Sequence, residues 1–338
     1  MTLDSLPILD VSELDAGTEA AERFREQLRE VTHEVGFFYL VGHGIPQELI
    51  DEVLDLSRRF FALPEADKLA IENVHSPQFR GYTRTGKELT NGSIDWREQI
   101  DIGEERDAVV AGEGEHDAAY WRLEGPNLWP AALPELETAI TEWRAQLNAL
   151  ALRLMRTWAV ALGAPEDVFD DAFADRAFSL IKIVRYPGAS EEGASQQGVG
   201  SHRDGGVLTL LLVEPDKAGL QVEHDGEWID APSLPGAFVV NIGEMLELAT
   251  DGYLKATLHR VESPRVGTDR ISIPFFFNPA LDARMPQLAL DAALRSEARG
   301  LSADPTNSPI LETYGDNSLR YRLRAHPNVA AIHHPDLR

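Results

Sequence analysis

Residues 202–213 read HRDGGVLTLLLV: His202, Arg203 and Asp204, two glycines, then seven residues with the composition of a core strand. Residues i and i+2 of a strand project from the same face, so His202 and Asp204 point together while Arg203 points away. Polar groups at the mouth of an apolar strand need a partner, and a metal ion held by an imidazole and a carboxylate is such a partner. A facial triad of two histidines and one carboxylate leaves coordination positions open on non-haem iron(II). His259, in the later strand-like run ATLHRVE, is the best candidate for the missing donor. Zinc is compatible with the same ligand types. With ten histidines in the chain an H-x-D can also arise by chance, and His259 alone reads equally as a hydrogen-bonded strand histidine. HRD also opens the kinase catalytic loop, but Thr209 stands where that loop needs asparagine and no glycine-rich loop precedes it.

The hydrophobic period changes along the chain. Before residue 165 it is mainly helical: Phe24, Leu28, Val31 and Val35 mark one helix, from Thr18 to Gly36. Leu49, Ile50, Val53 and Leu54 mark a second, closed by Phe60 and Phe61 before Pro64. Leu136, Ile140, Trp143, Leu147, Leu150, Leu154, Trp158 and Leu162 form one long core stripe between Pro134 and Gly163. Pro7–Val11 and GFFYLV near residue 40 read as strands, and residues 75–120 as loops with short strands. After residue 178, SLIKIVRYP, GVLTLLLV, GLQVE, EWIDA, AFVVNIG, TLHRVE and ISIPFFF are short apolar runs punctuated by Gly, Pro and Asp. This pattern predicts a sandwich or jelly roll buttressed by helices, an α+β chain. The tail TYGDNSLRYRLRAHP reads as a final helix ended by Pro327.

A length of 338 residues corresponds to about two domains, but no linker interrupts the sequence. The expectation is one domain over 1–338: a mostly helical leader (1–165), a jelly-roll core carrying the metal site (178–280) and a C-terminal segment with a helix (281–338). There is no cysteine, which excludes thiolate zinc, iron–sulfur ligation and cysteine nucleophiles. The net charge of −25 repels nucleic acid and anionic membrane, so neither is an expected partner. An anionic ligand then needs local cations shielded from that charge. MTLDSLPILD lacks the basic and apolar regions of a signal peptide, and no apolar run reaches the ~18 residues of a membrane span. A soluble, cytoplasmic protein is expected, of an oligomeric state on which the sequence is silent.

Arg270 and Ser272, in DRISIPFFFNP, share a strand face by the same two-residue period. An arginine facing a barrel interior needs an anion. Arg270 as a planar fork, with the Ser272 hydroxyl beside it, can grip a carboxylate, although an edge-strand surface arginine fits the spacing too.

SHRDGGVLTLL, GLQV, VVNIGEMLELATDGYLKATLHRV and DRISIPFFFNP resemble the isopenicillin N synthase-like branch of the iron(II)- and 2-oxoglutarate-dependent oxygenases. HEVGFFYLVGHGIP, FFALPEADK and RGYTRTGKE resemble that family's leader, so the likeness spans nearly the whole chain. Local departures are Arg203, where the family commonly has threonine, and Glu244, where NIGD is commoner. The resemblance implies a double-stranded β-helix, with His202, Asp204 and His259 as iron ligands. It implies that Arg270, Ser272 and Tyr186, in RYPG, bind the distal carboxylate of 2-oxoglutarate. It further implies that dioxygen is consumed, that 2-oxoglutarate becomes succinate and carbon dioxide, and that a small-molecule C–H bond is oxidised by hydroxylation, desaturation or ring closure.

Phe276 and Asn278 continue the inward parity of Arg270 and Ser272 and are candidates for substrate contact, as are Lys182 and Arg185 for an anionic substrate. Arg80, Tyr82 and Arg84 are candidates for a lid. Two other readings stay open: an iron oxidase of the isopenicillin N synthase type that draws all electrons from its substrate, and a non-catalytic metal- or ligand-binding jelly roll.

Overall fold

Alternation along the strands decides the architecture. The computed structural model describes residues 5–112, 114, 116–174, 176–188, 197–302 and 309–337. Its strands are β1 (Ile8–Asp10), β2 (Phe37–Val41), β3 (Gly81–Thr83), β4 (Leu89–Thr90), β5 (Ser93–Ile94), β6 (Glu98–Gly103) and β7 (Leu180–Pro187). The chain continues with β8 (Gln197–His202), β9 (Leu208–Val213), β10 (Leu220–His224), β11 (Glu227–Asp230), β12 (Phe238–Ile242), β13 (His259–Glu262) and β14 (Asp269–Phe277). Eight of them form one sheet in the order β1-β2-β12-β9-β14-β7-β6-β3, four form a second in the order β11-β10-β13-β8, and β4 pairs with β5 as a hairpin.

The large sheet is buried on both faces. Phe38, Leu40, Ile181, Ile183, Ile271, Ile273 and Phe275 pack outward into the helix-covered core. Their neighbours Phe37, Tyr39, Val184, Tyr186 and Val239 face inward, against Val199, Leu220, Val222 and Val261 of the small sheet. This explains the near-continuous apolar runs in the sequence: each residue of these strands has a core to enter, one shared with helices and one between the sheets. The Glu135–Ala161 helix runs across the outer face with the expected stripe, Leu136 through Trp158, wholly buried. Gly163 follows it at φ 78°, the left-handed conformation that ends a helix at least cost in glycine.

Several expectations are corrected. Within the 1–165 segment, β1 and β2 fall where strands were expected, and they join β3 and β6 in the large sheet rather than forming a separate leader. β6 lay in a stretch read as loops with short strands, and its bounds were not legible because Glu98, Gln99 and Asp101 interrupt its apolar pattern; all three are buried and bonded. The first helix begins at Thr18, as expected, with Gly17 as its N-cap, and ends at Glu34 rather than at Gly36. Pro327 does end the Tyr314–Ala325 helix, but it also starts another, Pro327–His333, where its missing N–H is harmless. No helix among the described residues is long and apolar enough to cross a membrane.

Candidate metal centre

His202 is the last residue of β8 and His259 the first of β13, and the two are direct cross-strand partners. Their ring centroids are 4.2 Å apart. Each Nδ1 faces a backbone carbonyl two residues back: Gly200 O at 2.8 Å from His202 and Thr257 O at 3.1 Å from His259. A carbonyl only accepts, so each Nδ1 carries the proton, and Nε2 is the nitrogen left to face a metal. Asp204 lies beyond the end of β8, in the segment that crosses from the small sheet to β9 in the large one. The crossing turn, rather than strand parity, therefore brings Asp204 to the histidines.

Thr209 Oγ1 (2.5 Å) and Asn241 Nδ2 (2.8 Å) both donate to Asp204 Oδ2. Asp204 Oδ1 is left 3.6 Å from both imidazole Nε2 atoms. The three ligand atoms lie within 4.8 Å of one another, the spacing of donors around one ion. Burial opposes charge on Asp204, but His259, His202 and Asn241 outweigh it and hold the carboxyl well below its usual range. Burial, reinforced by the neighbouring His202, pulls His259 down to about 4, so it is a neutral imidazole at neutral pH, the form that can ligate a metal. Two imidazole nitrogens and one carboxylate, each fixed from behind by a hydrogen bond, fit a divalent metal.

Glycines make the turn possible. A Cβ on Gly205 would collide with the Tyr321 ring, and one on Gly206 with Asn278 Oδ1. The centre opens into a cavity of about 810 Å³. Phe276 and Asn278 stand in its wall as their parity predicts. Lys182 also lines it, already facing Glu88 (2.8 Å) and Asp101 (3.6 Å). Arg185 does not. Three residues from Lys182 on a strand means the opposite face, and there it pairs with Glu98 (2.7 Å) and Asp269 (2.9 Å). Arg203, read as facing away, donates from Nε to Ala256 O at 2.9 Å yet still borders the cavity.

The proposed lid residues lie elsewhere. Arg80 is buried over the Phe178 ring at 5.1 Å, Tyr82 donates to Glu98, and Arg84 pairs with Glu72. The wall instead includes Glu88, the β4–β5 hairpin, Arg97 and the Tyr314–Ala325 helix, with Tyr321 donating to Glu244 at 2.7 Å. No periodicity marked these residues: Glu88 and Arg97 fall in an acid-rich stretch, and the tail was read as a helix without a face assigned to the site.

Deeper than the cavity wall, Arg270 is 1% exposed and makes no ion pair among the described residues. Its Nη1 donates to Ser272 Oγ (3.2 Å), its guanidinium lies 4.9 Å from the Tyr186 ring centre, and its Nε has no partner. Burial lowers its pKa. A buried guanidinium without a carboxylate is a poised anion site.

Comparison with known proteins agrees with this geometry. The model of the 2OG-Fe(II) oxygenase superfamily matches residues 178–279, and that of the N-terminal region of non-haem dioxygenases in morphine synthesis matches residues 6–132. The 2-oxoglutarate-dependent dioxygenase frbJ of Dothideomycetidae sp. (strain 11243) is 36% identical, with 97% of this chain and 92% of the relative covered. This chain belongs to the 2OG-Fe(II) oxygenases. Homoarginine-6-hydroxylase 2-ODD-C23 of Glycine max is 35% identical over 84% of the chain and 88% of its own length. Among solved structures, a 2OG-Fe(II) oxygenase family protein of Caulobacter crescentus superposes with TM-score 0.73 at 28% identity, covering 95% of this chain and 99% of that one. JOX2 in complex with 2OG, Fe and JA gives TM-score 0.72 at 26% identity, covering 97% and 88%. The oxygenase is thus an oxidoreductase that uses iron(II), 2-oxoglutarate and dioxygen on a small molecule, and its fold is the expected α+β jelly roll. The substrate-only oxidase and the non-catalytic jelly roll are not favoured.

Proposed function

We propose that His202, Asp204 and His259 hold the iron, and that Arg270, Ser272 and Tyr186 receive the distal carboxylate of 2-oxoglutarate. The observation that carries this reading is the convergence of two free Nε2 lone pairs and one free carboxylate oxygen, each backed by a hydrogen bond on its far side. Iron(II) held there supplies the redox chemistry that couples oxidative decarboxylation of 2-oxoglutarate by dioxygen to oxidation of a substrate C–H bond. The chain's own part is placement. Gly200 and Thr257 carbonyls keep both imidazoles in the ligating tautomer, and Thr209 and Asn241 hold the Asp204 carboxylate to one bound oxygen. The Arg270 fork orients the keto acid by its remote end, and Phe276 with the Tyr314–Ala325 helix shields the substrate from water.

The substrate in this reading is a small molecule that fits about 810 Å³. Nucleic acid and membrane are not partners, since a net charge of −25 repels both, and the working compartment is the cytoplasm. Anaerobic titration of the iron(II) protein with 2-oxoglutarate tests the assignment. A weak visible charge-transfer band of the bidentate keto acid is expected, and it should vanish with iron binding in His202→Ala and Asp204→Ala. Full activity in either variant would refute the ligand set, and a wild-type protein without the band would favour the substrate-only oxidase.

A further inference from the structure

The cavity wall carries three polar atoms that the fold leaves buried and without hydrogen-bond partners: Glu88 Oε2, Arg97 Nε and Asn278 Oδ1. Buried polar atoms without partners are rare, and three on one cavity mark a place where a ligand completes the network. Glu88 and Arg97 are 5% and 9% exposed. Arg97 Nη2 lies 3.2 Å from Glu88 Oε1, so an unused donor and an unused acceptor stand on adjacent groups. The Asn278 amide is oriented by its own donor, which faces the Phe178 and Phe276 carbonyls and so leaves Oδ1 as an acceptor.

Charge narrows the class further. Glu88 Oε1 faces Lys182 and Arg97, Arg97 also meets Asp95 at 3.1 Å, and Asp101 meets Lys182 and Arg322. Three carboxylates (Glu88, Asp95, Asp101) thus balance three cations (Arg97, Lys182, Arg322) in a buried network. A ligand bringing a further net charge would unbalance it in a medium that screens poorly. A neutral group with an N–H beside a C=O satisfies it: N–H to Glu88 Oε2, C=O to Arg97 Nε.

We propose that Glu88 and Arg97 form a specificity site for a neutral amide, lactam or urea edge of the substrate, with Asn278 as a second acceptor. This rests on the reading of the metal centre given above. The test uses the anaerobic protein loaded with iron(II) and 2-oxoglutarate, in samples that already show the charge-transfer band. Three six-membered rings are titrated while that band and the heat of binding are followed: δ-valerolactam (donor and acceptor), cyclohexanone (acceptor only) and piperidinium (cation). The lactam should bind about tenfold tighter than either analogue, the scale of one net hydrogen bond. Glu88→Gln should shrink the preference over cyclohexanone several-fold while leaving 2-oxoglutarate binding unchanged. Because Glu88 also pairs with Lys182 and Arg97, crystals of the unaltered protein soaked with lactam give an independent readout, with the ring nitrogen expected against Glu88. Equal binding of the three rings, preference for piperidinium, no binding, or a lactam seated elsewhere would each overturn the proposal. Absence of the band itself would instead overturn the assignment of the iron and keto-acid sites.

Discussion

Asp204 is buried at 8% exposure, with Oδ2 accepting from Thr209 and Asn241 and Oδ1 left free, 3.6 Å from each imidazole Nε2. Removing one of the supports leaves the ligand but frees its rotation. Asn241→Ala should therefore weaken iron binding about 10- to 100-fold, the usual scale for partners that orient a ligand, without abolishing it. Equilibrium dialysis against a chelator measures this; an unchanged affinity would mean that Asn241 does not position the carboxylate. Arg270 makes the complementary case. Truncating one partner of a buried, hydrogen-bonded charge pair costs about 2–5 kcal/mol. Arg270→Ala should thus raise the 2-oxoglutarate dissociation constant about thirtyfold or more while iron affinity holds. Equal weakening of both would point to misfolding. Arg270→Lys should recover only part, because a point charge cannot replace a planar fork.

The elements meet at a turn. Residues Arg203–Val207 carry the chain from β8 in the small sheet to β9 in the large one, and the Tyr314–Ala325 helix closes over that crossing. Gly205 lets the Tyr321 ring approach, and Tyr321 in turn donates to Glu244, whose own pKa is raised by burial. Gly205→Ala should displace the ring and destabilise the protein by about 1–3 kcal/mol, as overpacking does. A urea midpoint that does not move would show that the helix yields freely. Glutamate at 244, where aspartate was the commoner expectation, thus has a specific contact with the Tyr314–Ala325 helix. The β4–β5 hairpin is tied to β8 from the other side: Asp95 accepts from Thr90, Gln197 Nε2 and the Gly200 amide.

Across the whole molecule, acidity is set against a few buried bases. His326 is 1% exposed and burial pulls it down to about 4, below the ordinary histidine value of 6.5. The unfolded chain therefore binds a proton that the folded chain refuses between pH 6.5 and 4. Stability is retained in full above that window and lost as pH falls through it. Thermal unfolding of the metal-free protein should show a melting temperature that declines across this range, with a shallower decline in His326→Gln. Equal slopes would assign the acid sensitivity elsewhere.

The triad's residue types, the Arg-x-Ser grip, the long Leu136–Trp158 stripe and most strands of the second half were legible in the sequence. Each is a local pattern: a two-residue or helical period, or donors at short spacing. Arg185 was misplaced although its parity with Lys182 was already legible as opposite. Chain-distant packing was not legible. The sequence by itself determined which groups this protein offers to the proposed iron and dicarboxylate sites. Only the tertiary structure decided that the turn after β8 brings Asp204 to the histidines, and that Glu88, Arg97 and the Tyr314–Ala325 helix wall the cavity. Those positions follow from sheet order and long-range burial, and no local period encodes them.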